Sequence, residues 1–262
     1  MQSSGNDNKG KGKLFIVGTG PGKNTQLTGR AIEAIGESDI IIGNDFYLNH
    51  IPEYIEGKEV IKSSMGKEVD RAKRCVELAG TQKVCMVSGG DPGIYGMASI
   101  VLEVIAHENS CIDYEVVPGV TAAAAAASLT GSPLSGDYVT ISLSDLLTPL
   151  EIIEKRLDLA FQMGIPVALY NPKSRGRPAN LSLALSIALK YKTENTPVAV
   201  VKNAYRENEN KRFFTLKSLF DDDSFVDMSS IVIIGGEETR IQDVCGKEIM
   251  ITPRGYDRKY VY

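Results

Sequence analysis

Histidine and cysteine are scarce in this chain, with two and four residues among 262. The cysteines, Cys75, Cys85, Cys111 and Cys245, form no CxxC pair and have no histidine near them, so neither a zinc nor an iron–sulfur site is indicated. They read as reduced, mostly buried thiols of a cytoplasmic protein. No run of about 18 apolar residues occurs, which argues against a membrane span. An excess of positive charge is missing as well. The net charge is −4 and the pI about 5.4, which speaks against a general nucleic-acid binder and leaves a small-molecule ligand as the better fit. The opening MQSSGNDNKGKGK lacks an apolar signal core, and residues 1–12 read as a polar leader without fixed structure.

What is present is an alternation. From Leu14 to about Pro133, β-type runs (LFIVG, DIIIG, KVCMVSG, YEVVPG) alternate with helical segments at Thr28–Ile35, Asp70–Ala79 and Ala98–Ala106. That order predicts a mostly parallel, helix-covered sheet. Ala122–Ser128 is a small-residue helix start that permits close packing. The turn-rich TGSPLSGD, Thr130–Asp137, then separates a second α/β unit with strands at YVTIS, PVALYN, PVAVVKNA and SSIVIIGG and helices at Pro149–Met163 and Asn180–Tyr191. The expectation is two α/β domains, 13–133 and 134–262, with no internal repeat and a basic, aromatic surface tail at RGYDRKYVY.

Two loops carry most of the chemical signal. GTGPG, at the end of the first β-run, allows tight turns and close backbone approach to a ligand. It departs from the dinucleotide fingerprint: the third glycine of that pattern falls on Lys23, and Pro21 has no N–H to offer a pyrophosphate. GGDPGIYG follows the KVCMV run. Gly89 and Gly90 there can expose backbone N–H and C=O groups, Asp91 supplies an acceptor, and Pro92 stiffens the turn. With no G-x-x-x-x-G-K-[ST] pattern, such a loop suits adenosine and amino-acid groups better than a triphosphate. A plain β–turn–α connection explains either loop alone. Both together suggest two strand ends lining one cleft.

In order, LFIVGTGPGKNTQLTGRAIEAI, VSGGDPGIYGMA, VVPGVTAAAAAA, ISLSDLLTP, LYNPKSRGR and TPVAVVKNAYR resemble the tetrapyrrole (class III) S-adenosylmethionine-dependent methyltransferases of corrin biosynthesis. ISLSDLLTP and YNPKSRGR most resemble the branch acting at carbon 17 of precorrin-3B or cobalt-precorrin-3 (cobalt-factor III), with ring contraction. The resemblance implies a homodimer of two-domain chains with the active site in the cleft between the domains. It implies S-adenosylmethionine as cofactor, with contacts at Pro21, at Gly89, Gly90, Asp91 and Ile94, at Thr121 and Ala122, and at Asn171 and Ala204. Related enzymes often carry Met and Gly at these last two positions. Within the family, another ring position or the diphthamide precursor remains an alternative substrate. Outside it stand an NAD-type oxidoreductase and a non-catalytic cofactor-binding module.

A corrinoid precursor carries many carboxylates, and Lys173, Arg175 and Arg177 form a cationic cluster suited to anchoring them; a solvated basic loop is the alternative. Methyl transfer from a sulfonium needs alignment in a dry site rather than a nucleophilic side chain. Ring contraction needs proton transfers. Asp45 and Tyr47 in GNDFYL are the chosen acid–base pair, with Tyr95, Ser142, Ser144 and Asp145 as further candidates. For Asp145 helix capping is an equal reading. His107 reads as a surface or capping residue at a helix end. His50 reads as a loop residue, or as a proton donor or ligand to a substrate-borne cobalt.

Overall fold

The computed structural model describes residues 12–261. The leader expected over residues 1–12 lies outside them except for Gly12. That residue is buried, and a Cβ there would stand 2.0 Å from the carbonyl oxygen of Ala79, so Gly12 is already packed into the fold. No helix among the described residues is long and apolar enough to cross a membrane.

The chain folds into two compact units, one ending at Thr121 and the next beginning at Ala122. The first contains β1 (Lys13–Gly18), α1 (Gly29–Glu37), β2 (Ile40–Asn44), α2 (Asp45–Leu48), α3 (Pro52–Ile55), β3 (Glu59–Ser63), α4 (Glu68–Ala79), β4 (Lys83–Ser88), α5 (Ala98–His107) and β5 (Asp113–Val117). Its five strands are parallel and ordered β3-β2-β4-β1-β5. Continuous apolar runs form the central strands because both faces are covered. Leu14, Ile16, Ile40, Ile42, Val84 and Met86 pack with residues of α4 and α5 on one face. Phe15, Val17, Ile41, Cys85 and Val87 pack with Ala31, Ala34 and Ile35 of α1 on the other. Thr28 starts α1 by accepting the Ala31 N–H at 3.1 Å.

The second unit contains α6 (Ala122–Thr130), β6 (Gly131–Ser132), β7 (Val139–Ser142), α7 (Leu150–Gln162), β8 (Val167–Tyr170), α8 (Asn180–Ala188), β9 (Pro197–Lys202), β10 (Asn210–Thr215), α9 (Leu216–Asp221), β11 (Ser230–Ile234), β12 (Arg240–Val244) and β13 (Lys247–Ile251). Its five-stranded sheet runs β10-β9-β11-β8-β7, with only β7 and β8 paired in parallel. One face packs on α7 and α8. The other packs Ala168, Tyr170, Ala199, Val201 and Ile233 against Ala123 and Ala126 of α6. The alanines let α6 lie close to the sheet, and the Tyr170 hydroxyl accepts the Ala123 N–H at 2.8 Å. This packing is why the unit begins at Ala122 rather than at the turn-rich residue 134.

The described tail, Arg254–Val261, is largely exposed, as expected for a surface tail. The cysteines divide evenly rather than being mostly buried. Cys75 and Cys85 are buried, and burial pushes the Cys75 thiol up to about 12; Cys111 and Cys245 are exposed.

Candidate functional site

All five strands of the first unit point the same way, so the loops that follow them share one edge of the sheet. The two glycine loops singled out in the sequence are joined there. Gly20 donates its N–H to the Gly90 carbonyl at 3.0 Å, and Gly90 donates to the Gly20 carbonyl at 2.8 Å. Thr19 adds a backbone N–H and its hydroxyl to the Ser88 carbonyl, at 2.9 and 3.2 Å. Asp91 ties in a third loop: Oδ1 accepts from the Gly93 N–H at 2.8 Å and Oδ2 from the Gly119 N–H, after β5, at 3.0 Å. The backbones approach so closely that a Cβ at Gly119 would lie 2.2 Å from the Gly90 oxygen, and one at Gly18 2.7 Å from it. Gly90 therefore does not expose its N–H and C=O to a ligand as expected; both hold the loop after β1.

Asp45 and Tyr47 sit on α2, directly after β2 and beside β4. Tyr47 is half-buried, and its ring lies where a side chain at Gly89 would be, only 2.1 Å from an added Cβ. The structure thus brings Tyr47 onto the second glycine loop. Asp45 is exposed and faces Lys62 at 3.7 Å. His50 Nδ1 lies 2.6 Å from the Phe46 carbonyl, a local contact back to α2. Pro21 is buried, Ile94 is exposed, and Thr121 is half-buried at the end of the unit. Tyr95 adopts φ +53°, a left-handed conformation that bulky residues rarely take and that clusters at functional loops. His107 lies exposed in the last turn of α5, as read.

In the second unit, β7, β8 and β9 end on one edge. Because β7 and β8 are parallel neighbours, the two distinctive sequences ISLSD and NPKSRGR emerge side by side. Ser142 Oγ accepts from Asn171 Nδ2 at 3.0 Å and from the Ser144 N–H at 3.3 Å. Asn171 itself has φ +50°, and Asn203 and Tyr205, flanking Ala204, have +48° and +57°. Asp145 does not cap α7, which starts five residues later behind Pro149; its Oδ1 lies 3.6 Å from Arg177 Nε. Of the three expected anchors, Lys173 is paired within the fold, 2.6 Å from Asp223 Oδ1 with both side chains three-quarters buried or more. Arg175 stands exposed at the tip of a tight turn closed by Ser174 and Arg177. The anchor set thus contracts to Arg175, with Arg177 leaning on Asp145.

Residues 18–22, 89–97 and 117–121 contain no lysine or arginine and one carboxylate, Asp91. An edge of close-packed backbone with Pro21 and Ile94, its loops without lysine or arginine, fits a ligand that pairs an adenosine with a positively charged sulfonium. It does not fit a pyrophosphate, which calls for free N–H donors and positive charge. A hollow of about 880 Å³ lies at the opposite edge of the second unit's sheet, beside Lys192, Phe213, Glu237 and Arg240, and takes in none of the expected site residues.

Comparison with known proteins bears on this edge. The model of the Tetrapyrrole (Corrin/Porphyrin) Methylases matches residues 13–219. The chain belongs to the tetrapyrrole methylase family. It is 42% identical to a Salmonella typhimurium protein named "Probable cobalt-factor III C(17)-methyltransferase", over 93% of this chain and 99% of that one. It is 44% identical to the Archaeoglobus fulgidus cobalamin biosynthesis protein CbiHC, over 95% of this chain; the chain spans about half, 54%, of that relative's length. The crystal structure of the methyltransferase CobJ superposes with a TM-score of 0.85 at 31% identity, covering 93% of this chain and 100% of the other. This tetrapyrrole methylase therefore has the two-domain α/β fold that its sequence led us to expect.

Three structural details at or near these loops escaped the sequence reading. Gly119 reads as an ordinary turn glycine until its contact with Gly90 is known. Asp223 lies 50 residues from Lys173 with no local pattern linking them. Arg71 occupies a buried position on α4, in register with Cys75 and Ala79; that charge on an otherwise small and apolar stripe was the available signal.

Proposed function

We propose that this chain is an S-adenosylmethionine-dependent C-methyltransferase of corrin biosynthesis that methylates carbon 17 of cobalt-factor III or precorrin-3B, with contraction of the macrocycle. The observation that carries the reading is the edge where the Gly18–Gly22, Gly89–Met97 and Val117–Thr121 loops, which contain no lysine or arginine, are laced together. Membership of the tetrapyrrole methylases and the names of the Salmonella and Archaeoglobus relatives support it.

S-adenosylmethionine, when bound, supplies the methyl group on a positively charged sulfur. Pro21, Gly89, Ile94 and Thr121 hold it by shape and backbone contact. Gly90 and Asp91 act by holding the loops rather than by offering free groups. Loops fixed by backbone hydrogen bonds keep the methyl donor in one geometry, which an in-line displacement requires. Arg175 and Arg177 meet substrate carboxylates. Tyr47, against Gly89, and the neighbouring Asp45 hold and return the proton that ring contraction moves. The protein works in the cytoplasm as a homodimer.

Anaerobic incubation with S-adenosylmethionine and cobalt-factor III, followed by mass and absorbance, tests the reading. A gain of one methyl with the spectrum of a contracted macrocycle is expected. Failure to methylate either cobalt-factor III or metal-free precorrin-3B, with cofactor bound, overturns it.

A further inference from the structure

Among the described residues Arg71 alone of the charged residues is buried, at 5% exposure. Its surroundings neutralise it only weakly. Nη1 donates to Ser63 Oγ at 2.5 Å and to the Ser64 carbonyl at 3.3 Å, and Nη2 reaches Met97 Sδ at 3.4 Å. The carboxylate paired with it, Glu68, is 3.6 Å away and 43% exposed, and the buried Nε has no hydrogen-bond partner. An ion withdrawn from water with so little compensation is a poor way to stabilise a fold; an apolar side chain of similar length is commonly as good or better there.

What the guanidinium does uniquely is connect. Ser63 ends β3, and Met97 closes the Gly89–Met97 loop that follows β4. β2 lies between β3 and β4 in the sheet, so the two strands are not paired directly and these two ends share no ladder of their own. Arg71 spans the gap with its planar fork, one arm on each loop. Met97 is tied to the strand by its N–H to Ser88 Oγ at 3.3 Å, and Ala98 is tied to the loop by its N–H to the Pro92 carbonyl at 2.8 Å. A shift of the Met97 side chain is thereby transmitted to the glycine turn.

We propose that Arg71 is a positioning residue for the methyl-donor site: it locks the Gly89–Met97 loop to the Ser63–Ser64 rim and so sets affinity for S-adenosylmethionine. The assignment rests on the cofactor reading of that loop given above. Packing alone predicts something different, namely that any side chain filling the same volume restores function.

The test compares the full-length wild type with Arg71→Met and Arg71→Lys. Arg71→Met removes the charge and the fork while keeping length, and it should fold with a thermal midpoint near that of wild type. Amide exchange without ligand should then lose about tenfold protection at Gly93, Ile94 and Met97, with the Gly18–Gly22 loop unchanged. The KM for S-adenosylmethionine should rise about tenfold while the tetrapyrrole KM stays within about threefold. Arg71→Lys keeps the charge but loses the two-armed planar fork that reaches Ser63 and Met97 from separate nitrogens, so Met97 protection should remain low. A folded Arg71→Met with wild-type exchange in the loop and wild-type cofactor affinity overturns the proposal. Should Arg71→Met not fold, wild-type protection of Met97 in Arg71→Lys overturns it equally. The exchange measurement uses no cofactor, so it decides the role of Arg71 even if the wild type binds no S-adenosylmethionine and the functional reading falls.

Discussion

The loop edge of the first unit is held by backbone and glycine, whereas that of the second is held by side chains. In the first, Gly20, Gly90 and Gly119 meet through main-chain groups, and Asp91 spends both carboxylate oxygens on backbone N–H donors. In the second, Asn171 bonds Ser142, Lys173 bonds Asp223, Lys202 bonds Asp227, and left-handed Asn residues replace glycines at the strand ends. Backbone lacing fixes a shape and leaves no freely changeable charge, which suits a ligand common to many enzymes. Side-chain lacing can be re-sorted one residue at a time, which suits recognition of a particular substrate. The first edge should therefore be sensitive to volume and the second to charge.

The largest effect should come from adding one methyl group to the laced edge. Gly119→Ala puts a Cβ 2.2 Å from the Gly90 oxygen, a backbone atom that cannot turn aside. We expect a loss of about 3 kcal/mol in urea unfolding, at the upper end for overpacking, together with loss of S-adenosylmethionine binding. Gly176→Ala, in the turn of the second edge, meets no atom within 4 Å and should change stability by less than about 0.5 kcal/mol. Equal costs for the two substitutions would abolish the distinction between the edges.

Charge removal should reverse the ranking, and here the second edge divides internally. Lys173→Ala breaks a 2.6 Å pair that is largely shielded from water and should cost about 1 kcal/mol of stability. Arg175→Ala should leave unfolding unchanged and raise the tetrapyrrole KM about tenfold, equivalent to roughly 1.4 kcal/mol, with the cofactor KM unaltered. Equal rises in both KM values would remove Arg175 from the anchor set.

The first edge was legible in the sequence because its determinants are local: β-runs ending in Gly-Pro and Gly-Gly-Asp-Pro turns announce strand ends, and parallel strands place their ends together. The second was legible only as motifs. ISLSD and NPKSRGR stood out, yet the pairing of Lys173 with Asp223 depends on the loop between α9 and β11, which has no signature of its own. The basic cluster therefore read as three equivalent cations when one is bound to its own fold. Strands β3, β10, β12 and β13 were missed for a related reason. They are edge or hairpin strands in which polar, exposed residues interrupt the pattern, as in the Asn210–Thr215 run NKRFFT, and the apolar part of β13 is only the three residues Ile249–Ile251. Cys245 at φ +53° followed by Gly246 at +76° makes the β12–β13 hairpin turn, a Cys-Gly pair that lacks the usual asparagine signal.

The smallest effect concerns charge in the first unit, which lies away from the loops. Arg30 grips Glu115 through Nε at 2.6 Å and Nη2 at 2.8 Å, and Lys13 adds a contact at 3.0 Å. The Arg30 hydrogen bond foremost holds the Glu115 carboxyl down, at about 2 against 4.5 for a free glutamate. A carboxyl lowered by folding stabilises the native state fully above its unfolded value and loses that contribution as pH falls through the folded one. Wild type and Glu115→Gln should therefore differ in thermal midpoint above pH 4.5 and converge as pH approaches about 2. The gap should be small and shrink in salt, because both side chains are about a third exposed. S-adenosylmethionine affinity should be identical in the two proteins at pH 7. A change in affinity would mean that charge at α1 and β5 reaches the glycine edge, and that the backbone lacing does not by itself insulate that edge from the rest of its unit.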